Sequence, residues 1–199
     1  MTTIYIVRHG AYENPDYVFP GWSPGFPLSD EGREQVGRLT AYFRDIPVDA
    51  LFSSPIQRTR ETAKILSETV KLPINFDIRL VEVRTNMEGM PMKRFDETNG
   101  ELSYRPEWLT KGAESMEALG KRVHDCLEDL RRSNVGKTLL VVSPGDPIRF
   151  GIMTYLGWPM EFVKSREITT PLAGGYRLDI DEEGNAVVNP IVLDNYAAS

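Results

Sequence analysis

The chain has 199 residues, of which 41% are hydrophobic, 26% charged and 10% aromatic, a composition that fits one ordinary globular domain and excludes intrinsic disorder. A formal charge of -6 opposes non-specific attraction to nucleic acid or anionic membranes, and no apolar run approaches the ~20 residues of a membrane span. One cysteine and two histidines leave neither an internal disulfide nor a Cys/His zinc cluster, so zinc and redox chemistry drop away and no metal or cofactor is expected. The N-terminus, MTTIYIVRHG, lacks a basic stretch ahead of a long apolar one, and a cytoplasmic protein is expected.

Residues 3–7 (TIYIV) read as a buried strand that ends in Arg8-His9-Gly10. Residues 11–27 hold four prolines and two glycines, too many breakers for a helix or a central strand, and a loop of that length inside a domain is usually functional. Ser29 offers an N-cap to a helix reaching about Arg44, with Asp30 and Glu31 in its first turn and Val36, Leu39 and Phe43 at helical spacing. Residues 48–52 read as a second short strand. Ser53-Ser54-Pro55 then predicts a serine-capped helix with proline at its first position, and Ile56, Thr59, Ala63, Leu66 and Val70 mark its buried stripe.

Residues 74–83 read as a third strand or two short extended pieces, and residues 84–111 as an irregular excursion without sustained periodicity. Arg84, Lys93, Arg94 and Arg105, with Tyr104 and Trp108, suit that excursion equally to covering an anionic ligand or to forming a solvated loop. Residues 114–133 predict a helix with Met116, Leu119, Val123, Leu127 and Leu130 on one face, bordered by Cys126 as a packing residue and His124 as a partly exposed histidine. Residues 138–142 are an apolar strand of the kind buried on both faces of a parallel sheet, and they run into Ser143-Pro144-Gly145-Asp146-Pro147. Asp146 is expected to cap a helix that Pro147 opens and residues 148–158 continue. Two extended pieces, 175–180 and 186–192, flank the turn at 181–185. The alternation predicts a three-layer α/β/α sandwich around a mostly parallel sheet, in a single domain over 1–199.

Ligands of such sheets bind beyond the carboxyl ends of the strands, and three such ends carry chemistry here: Arg8-His9-Gly10, Ser53-Ser54-Pro55 leading to Arg58, and Ser143-Pro144-Gly145. If they converge, His9 lies between two guanidiniums whose planar forks suit a phosphate dianion. Like charge then disfavours the imidazolium, leaving a neutral ring able to attack phosphorus and form a phosphohistidine. Glu82 is the best placed carboxyl to protonate the leaving alkoxide; the arginines lower its proton affinity and a bound dianion raises it, so it is expected protonated only in the liganded site. Taken alone, His9 reads as a hydrogen-bonded histidine at a strand end and Arg58 as a solvated arginine paired with Glu61 or Glu31.

Several segments agree in order with one family. Arg8-His9-Gly10, Phe19-Pro20-Gly21-Trp22, the PLS segment that leads from Pro27 to Gly32, the stretch Ser53-Ser54-Pro55-Ile56-Gln57-Arg58-Thr59, Gly112-Ala113-Glu114-Ser115 and the run from Val141 to Arg149 together resemble the histidine phosphatase superfamily, which includes cofactor-dependent phosphoglycerate mutases. The resemblance covers most of the chain and implies a phosphoglycerate mutase-like fold. It also implies His9 as phosphoryl acceptor, Arg8 and Arg58 as phosphate ligands, Glu82 as proton donor, and Asn14 and Gly21 at the substrate pocket, with Asn14 one position early. Arg84 of the excursion and Ser143, Pro144 and Gly145 of the last strand end complete the candidate substrate-binding set.

One departure matters. The family carries a second catalytic histidine where this chain has Pro144, which offers neither an imidazole nor a backbone N–H. Proline pushes Ser143 toward an extended backbone, which suits a strand end, so the fold is expected to survive. Losing one preorganised donor costs about 10²- to 10³-fold in turnover. The expected function is that of a phosphomonoester hydrolase or phosphoglycerate mutase-like phosphotransferase acting through His9 on a small-molecule phosphate ester, impaired by Pro144. The alternative is a pseudoenzyme that binds such an ester without turnover. Mutases usually place an arginine directly after the glutamate, whereas Val83 intervenes here, which favours hydrolysis, and the excursion's basic residues favour an ester with a second anionic group. Neither nucleic acid nor membrane is an expected partner, and a homo-oligomer is left open.

Overall fold

Period-two alternation along the first strand builds both halves of the core. In the computed structural model, which describes residues 1–193, β1 (Thr2–Arg8) turns Ile4 and Ile6 to one face of the sheet and Tyr5 and Val7 to the other. Its parallel partner β4 (Thr138–Ser143) does the same with Leu139 and Val141 against Leu140 and Val142, in a register that sets Ile4 beside Leu139 and Arg8 beside Ser143. With β2 (Ala50–Ser53), β3 (Ile74–Phe76), β5 (Gly175–Ile180) and β6 (Ala186–Pro190) the sheet has the order β3-β2-β4-β1-β5-β6. β1 to β4 run parallel, and the β5–β6 hairpin adds an antiparallel edge, as expected from its turn.

Helices α1 (Asp30–Phe43) and α2 (Gln57–Val70) cover one face through Val36, Leu39, Phe43, Ala63 and Leu66. The opposite face is covered by α5 (Met116–Ser133) and α6 (Gly145–Tyr155), whose Leu119, Val123, Leu127, Ile148, Phe150 and Met153 are buried. The α/β/α sandwich follows from these two apolar stripes. Between them residues 84–111 form only short turns, α3 (Lys93–Asp96), a 3-10 turn at Glu101–Tyr104 and α4 (Pro106–Leu109), while α7 (Phe162–Ser165) precedes the hairpin. Phe95 and Leu102 of the excursion pack with Met87 and Phe19, the Phe19 and Phe95 rings stacked with centroids 4.6 Å apart, so the excursion and the 11–27 loop cover the strand ends together. No helix among the described residues is long and apolar enough to cross a membrane.

Boundaries differ from expectation at the start of α2, within residues 74–83 and at both ends of α6. Ser29 caps α1 as predicted, accepting from the Gly32 N–H, but α2 starts at Gln57 without a serine cap. The Ser54 N–H instead continues the sheet ladder to the Val142 carbonyl, which keeps this residue extended past the point where a cap must turn. Residues 74–83 hold only the three residues of β3, because the Asp77 side chain accepts from the Arg79 N–H and winds Ile78–Leu80 into a 3-10 turn. Asp146 is no cap either: α6 begins at Gly145 behind Pro144, and the Asp146 carboxylate is taken by the Tyr104 hydroxyl at 2.7 Å and the Arg149 guanidinium at 3.2 Å. This helix also ends early, at Tyr155, with Gly157 left-handed just beyond it.

Candidate active site

The carboxyl end of β1 is pinned from all sides. Arg8 donates its N–H to the Gly174 carbonyl, His9 accepts from the Ala173 N–H, Gly10 donates to the Thr62 hydroxyl and Ala11 to the Gln35 side chain. Close packing dictates the glycines of two motifs at once. A Cβ on Gly10 would lie 2.5 Å from the Gly32 carbonyl oxygen, and one on Gly32 would lie 1.9 Å from the Ala11 carbonyl oxygen, so only glycines let the start of α1 press on the His9 loop.

His9 is 1% exposed, and its two ring nitrogens are assigned by two independent hydrogen bonds. Nδ1 lies 2.8 Å from the Gly10 carbonyl, which can only accept, so Nδ1 carries the proton. Nε2 therefore presents its lone pair, and Arg58 Nε donates to it at 3.1 Å. Burial, then the Arg58 charge and then the Arg8 charge hold the imidazole well below its ordinary range, against the bond to Gly10. Like charge was the expected cause; burial is the larger one.

Arg58 lies in the first turn of α2 and is 2% exposed, so the solvated alternative does not hold. Its Nη2 donates to the Gly21 carbonyl at 3.2 Å and lies 3.8 Å from Glu82 Oε2, while Tyr12 offers its ring face to the guanidinium at 5.2 Å and an edge contact to His9. Arg8 donates Nη1 to the Thr170 carbonyl at 2.7 Å. Its Nε is buried without a partner among the described residues, a donor suited to a ligand oxygen. A Cβ on Gly145 would meet this guanidinium at 3.2 Å.

Glu82 departs from expectation in an informative way. Burial first and the Asp146 carboxylate second push it up to about 7, outweighing Arg58, the Val83 N–H and Arg8. The carboxyl is thus held near neutrality by the protein alone. Its backbone is clamped as well: the Glu82 carbonyl accepts from Trp22 Nε1 at 2.7 Å, and Arg122 spreads its fork over the carbonyls of Arg79, Val81 and Glu82. The Arg122 Nε and Nη2 both donate to Glu114 at 2.7 Å, which gives the Gly112-Ala113-Glu114-Ser115 segment a structural purpose that its sequence did not disclose.

Arg8, His9, Gly21, Arg58, Glu82 and Gly145 converge on one cavity of about 270 Å³. Four other candidates do not line it. Asn14 closes its own loop, donating to the Val18 carbonyl and accepting from the Val18 N–H. Arg84 is exposed, with its guanidinium over the Trp22 ring at 5.4 Å, because Val83 before it is committed to the core. Ser143 is fully buried and donates to the Leu80 carbonyl, tying β4 to the segment that carries Glu82. Pro144 is buried as the N-cap of α6. The excursion reaches the cavity through Met92, Asn99 and Gly100; Lys93 and Arg94 face solvent, since Phe95 takes the inward side of α3. Sequence reading missed Tyr12, Thr170, Asp146 and Arg149 as cavity walls. Arg149, at the end of the last motif, carried the one usable hint.

A family model, Histidine phosphatase superfamily (branch 1), matches residues 4–191. The chain is 30% identical over 168 residues to the "Probable phosphoglycerate mutase GpmB" of Escherichia coli, covering 80% of this chain and 77% of that protein. Among solved structures it is similar to YhfR of Bacillus stearothermophilus, with a TM-score of 0.81 at 21% identity over 96% of each chain. It is equally similar to a phosphoserine phosphatase of Entamoeba histolytica in complex with 3-phosphoglyceric acid, with a TM-score of 0.81 at 22% identity over 98% of each chain.

Proposed function

The chain belongs to the histidine phosphatase superfamily, and from that premise we propose that it hydrolyses small-molecule phosphate monoesters through a phosphohistidine at His9, at a rate held down by Pro144. The observation that carries this reading is the fixed tautomer of His9, with Nδ1–H on the Gly10 carbonyl and the Nε2 lone pair turned to Arg58. In the free protein Arg58 occupies that lone pair; with an ester bound, its guanidinium turns onto the phosphate and frees Nε2.

Nε2 then attacks phosphorus, the P–O bond to the alcohol breaks, and Glu82 gives its proton to the leaving oxygen. Arg8 Nε and Arg58 hold the transferring oxygens as charge spreads over them. In the second step a water attacks the phosphohistidine, the Glu82 carboxylate takes its proton, the P–N bond breaks and neutral His9 returns. Hydrolysis is preferred over mutase chemistry because Val83 separates Glu82 from Arg84, whose guanidinium is turned onto Trp22.

The pH profile of phosphate release tests this assignment. Glu82 must be protonated to act as acid and sits at about 7, so kcat/KM for an alkyl phosphate such as 3-phosphoglycerate falls about tenfold per unit as pH rises past 7. Glu82→Gln is expected to flatten that limb and lower kcat about 10²- to 10⁴-fold for the alkyl ester, and by less for an aryl phosphate, whose leaving group needs no proton. A profile level through pH 7 with the alkyl ester overturns the role of Glu82. Binding of esters with no phosphate release under any condition marks the pseudoenzyme alternative instead.

The Arg122 clamp leads to a separate expectation. Arg122→Met is expected to lower kcat for the alkyl ester about 10- to 10²-fold by letting Glu82 drift, with KM little changed and the limb near pH 7 displaced. Steady-state kinetics across pH, beside Arg122→Lys, check this; a loss confined to thermal stability shows a merely structural clamp.

A further inference from the structure

Beside the catalytic cavity the described residues form a second concavity of about 350 Å³, which shares Arg8, Asn99, Arg149 and Thr170 with it. Arg166 is the charged side chain it adds. Three guanidiniums and no carboxylate therefore line this groove, on a chain whose formal charge is -6. Gathering like charges at one place is unfavourable unless an anion offsets them.

The three are not equally committed. Arg8 spends Nη1 on the Thr170 carbonyl. Arg149 spends Nη1 on Asp146 at 3.2 Å and Nε on the Ile168 carbonyl at 3.4 Å, which fixes its plane and leaves the remaining arm of the fork for a ligand. Arg166 is exposed at the rim and forms no ion pair among the described residues. Asp146, the acid beside Arg149, lines the catalytic cavity but not this groove. The excursion's Lys93, Arg94 and Arg105 line neither concavity, so beyond Arg8 of β1 the cations of this groove come from α6 and from the segment after α7.

We infer that this groove seats a second anionic group of the substrate, a carboxylate or a second phosphate, held by Arg149 and Arg166 while the reacting phosphate lies against His9. The inference rests on the phosphohistidine reading for the place of the first phosphate. Because Arg8 and Arg149 border both concavities, the frame joining the two anions is short, and the substrate class is a small phosphate ester with an acid group a few bonds from its ester oxygen.

The test uses matched esters. 3-Phosphoglycerate and glycerol 3-phosphate differ only in a carboxylate replaced by a hydroxymethyl group, and propane-1,3-diyl bisphosphate and propyl phosphate make the same comparison for a second phosphate. For each pair, kcat/KM and the dissociation constant from calorimetry are measured on the protein, on Arg166→Ala and on Arg166→Glu. The protein is expected to prefer the ester with the second anion by about tenfold, the scale of a charge-assisted contact at a partly solvated rim. The ratio falls toward one in Arg166→Ala and below one in Arg166→Glu, and the pair with the larger ratio identifies the anion. Arg166 is exposed, so neither variant threatens the fold. No preference in the protein, or a preference that Arg166 does not move, overturns the inference. If no ester is turned over, the phosphohistidine reading fails, and the binding ratios still decide the groove.

Discussion

His9→Asn is expected to lower phosphate release about 10³- to 10⁴-fold and to abolish an acid-labile, base-stable label on the protein in rapid-quench experiments with a labelled ester. Removing a nucleophile costs about 10⁶-fold where the machinery around it is intact. On the proposed reading a donor missing at position 144 accounts for about 10²- to 10³-fold of that, and the difference is what is expected to be observed. Asparagine is the right replacement because its amide N–H can still reach the Gly10 carbonyl, 2.8 Å from Nδ1, so that buried acceptor is not orphaned. The attacking lone pair at Nε2 is lost with the ring. Turnover within tenfold of the parent protein, or a label that persists, shows that another group attacks and overturns the phosphohistidine.

Pro144→His is expected to act in the opposite direction, raising kcat about 10²- to 10³-fold. Residue 144 follows Ser143, which pairs in register with Arg8, so a side chain there starts next to the strand end that carries His9. The backbone at 144 has φ -68 and ψ 175, ordinary extended values that histidine adopts without strain, and no side chain caps α6 at present. An imidazole N–H therefore adds a donor to the transferring phosphoryl group without remodelling the helix start. Proline restricts the unfolded chain, so the same substitution costs about 0.4 to 1 kcal/mol, or about 1 to 4 °C in Tm. A faster and slightly less stable enzyme is the expected result, measured by phosphate release and thermal unfolding on the same samples. An active protein whose rate does not respond to histidine removes Pro144 as the cause of slow turnover; silence in both forms identifies a phosphate-ester-binding pseudoenzyme.

The legible parts of this protein are those that a few consecutive residues decide. Alternation in TIYIV sorts Ile4 and Ile6 from Tyr5 and Val7, the three-four stepping from Ile56 to Val70 orients α2, and Ser29 caps α1 through its own hydroxyl. The convergence of Arg8, His9, Arg58 and Glu82 was readable because a parallel sheet gathers strand ends at one edge. Asn14 and Arg84 were misplaced for a related reason. Residue type says that an amide or a guanidinium can bind a ligand, whereas its direction depends on neighbours such as Val18 and Trp22 that compete for the same groups.

What the sequence by itself determined is the chemistry on offer: a histidine at the end of a buried strand, arginines and a carboxyl placed near other strand ends, and a proline at position 144. What only the tertiary structure decided is the state in which those groups are held. The proton of His9 sits on Nδ1 because the Gly10 carbonyl is there to accept it, and Glu82 is pushed up to about 7 because burial and Asp146, carried in by α6, outweigh the arginines. Arg149 and Arg166 form a second cationic surface because α6 and the segment after α7 meet beside Arg8. Protonation and direction depend on the field and the packing at a point, and segments distant in sequence make that field when β1 and β4 bring them together.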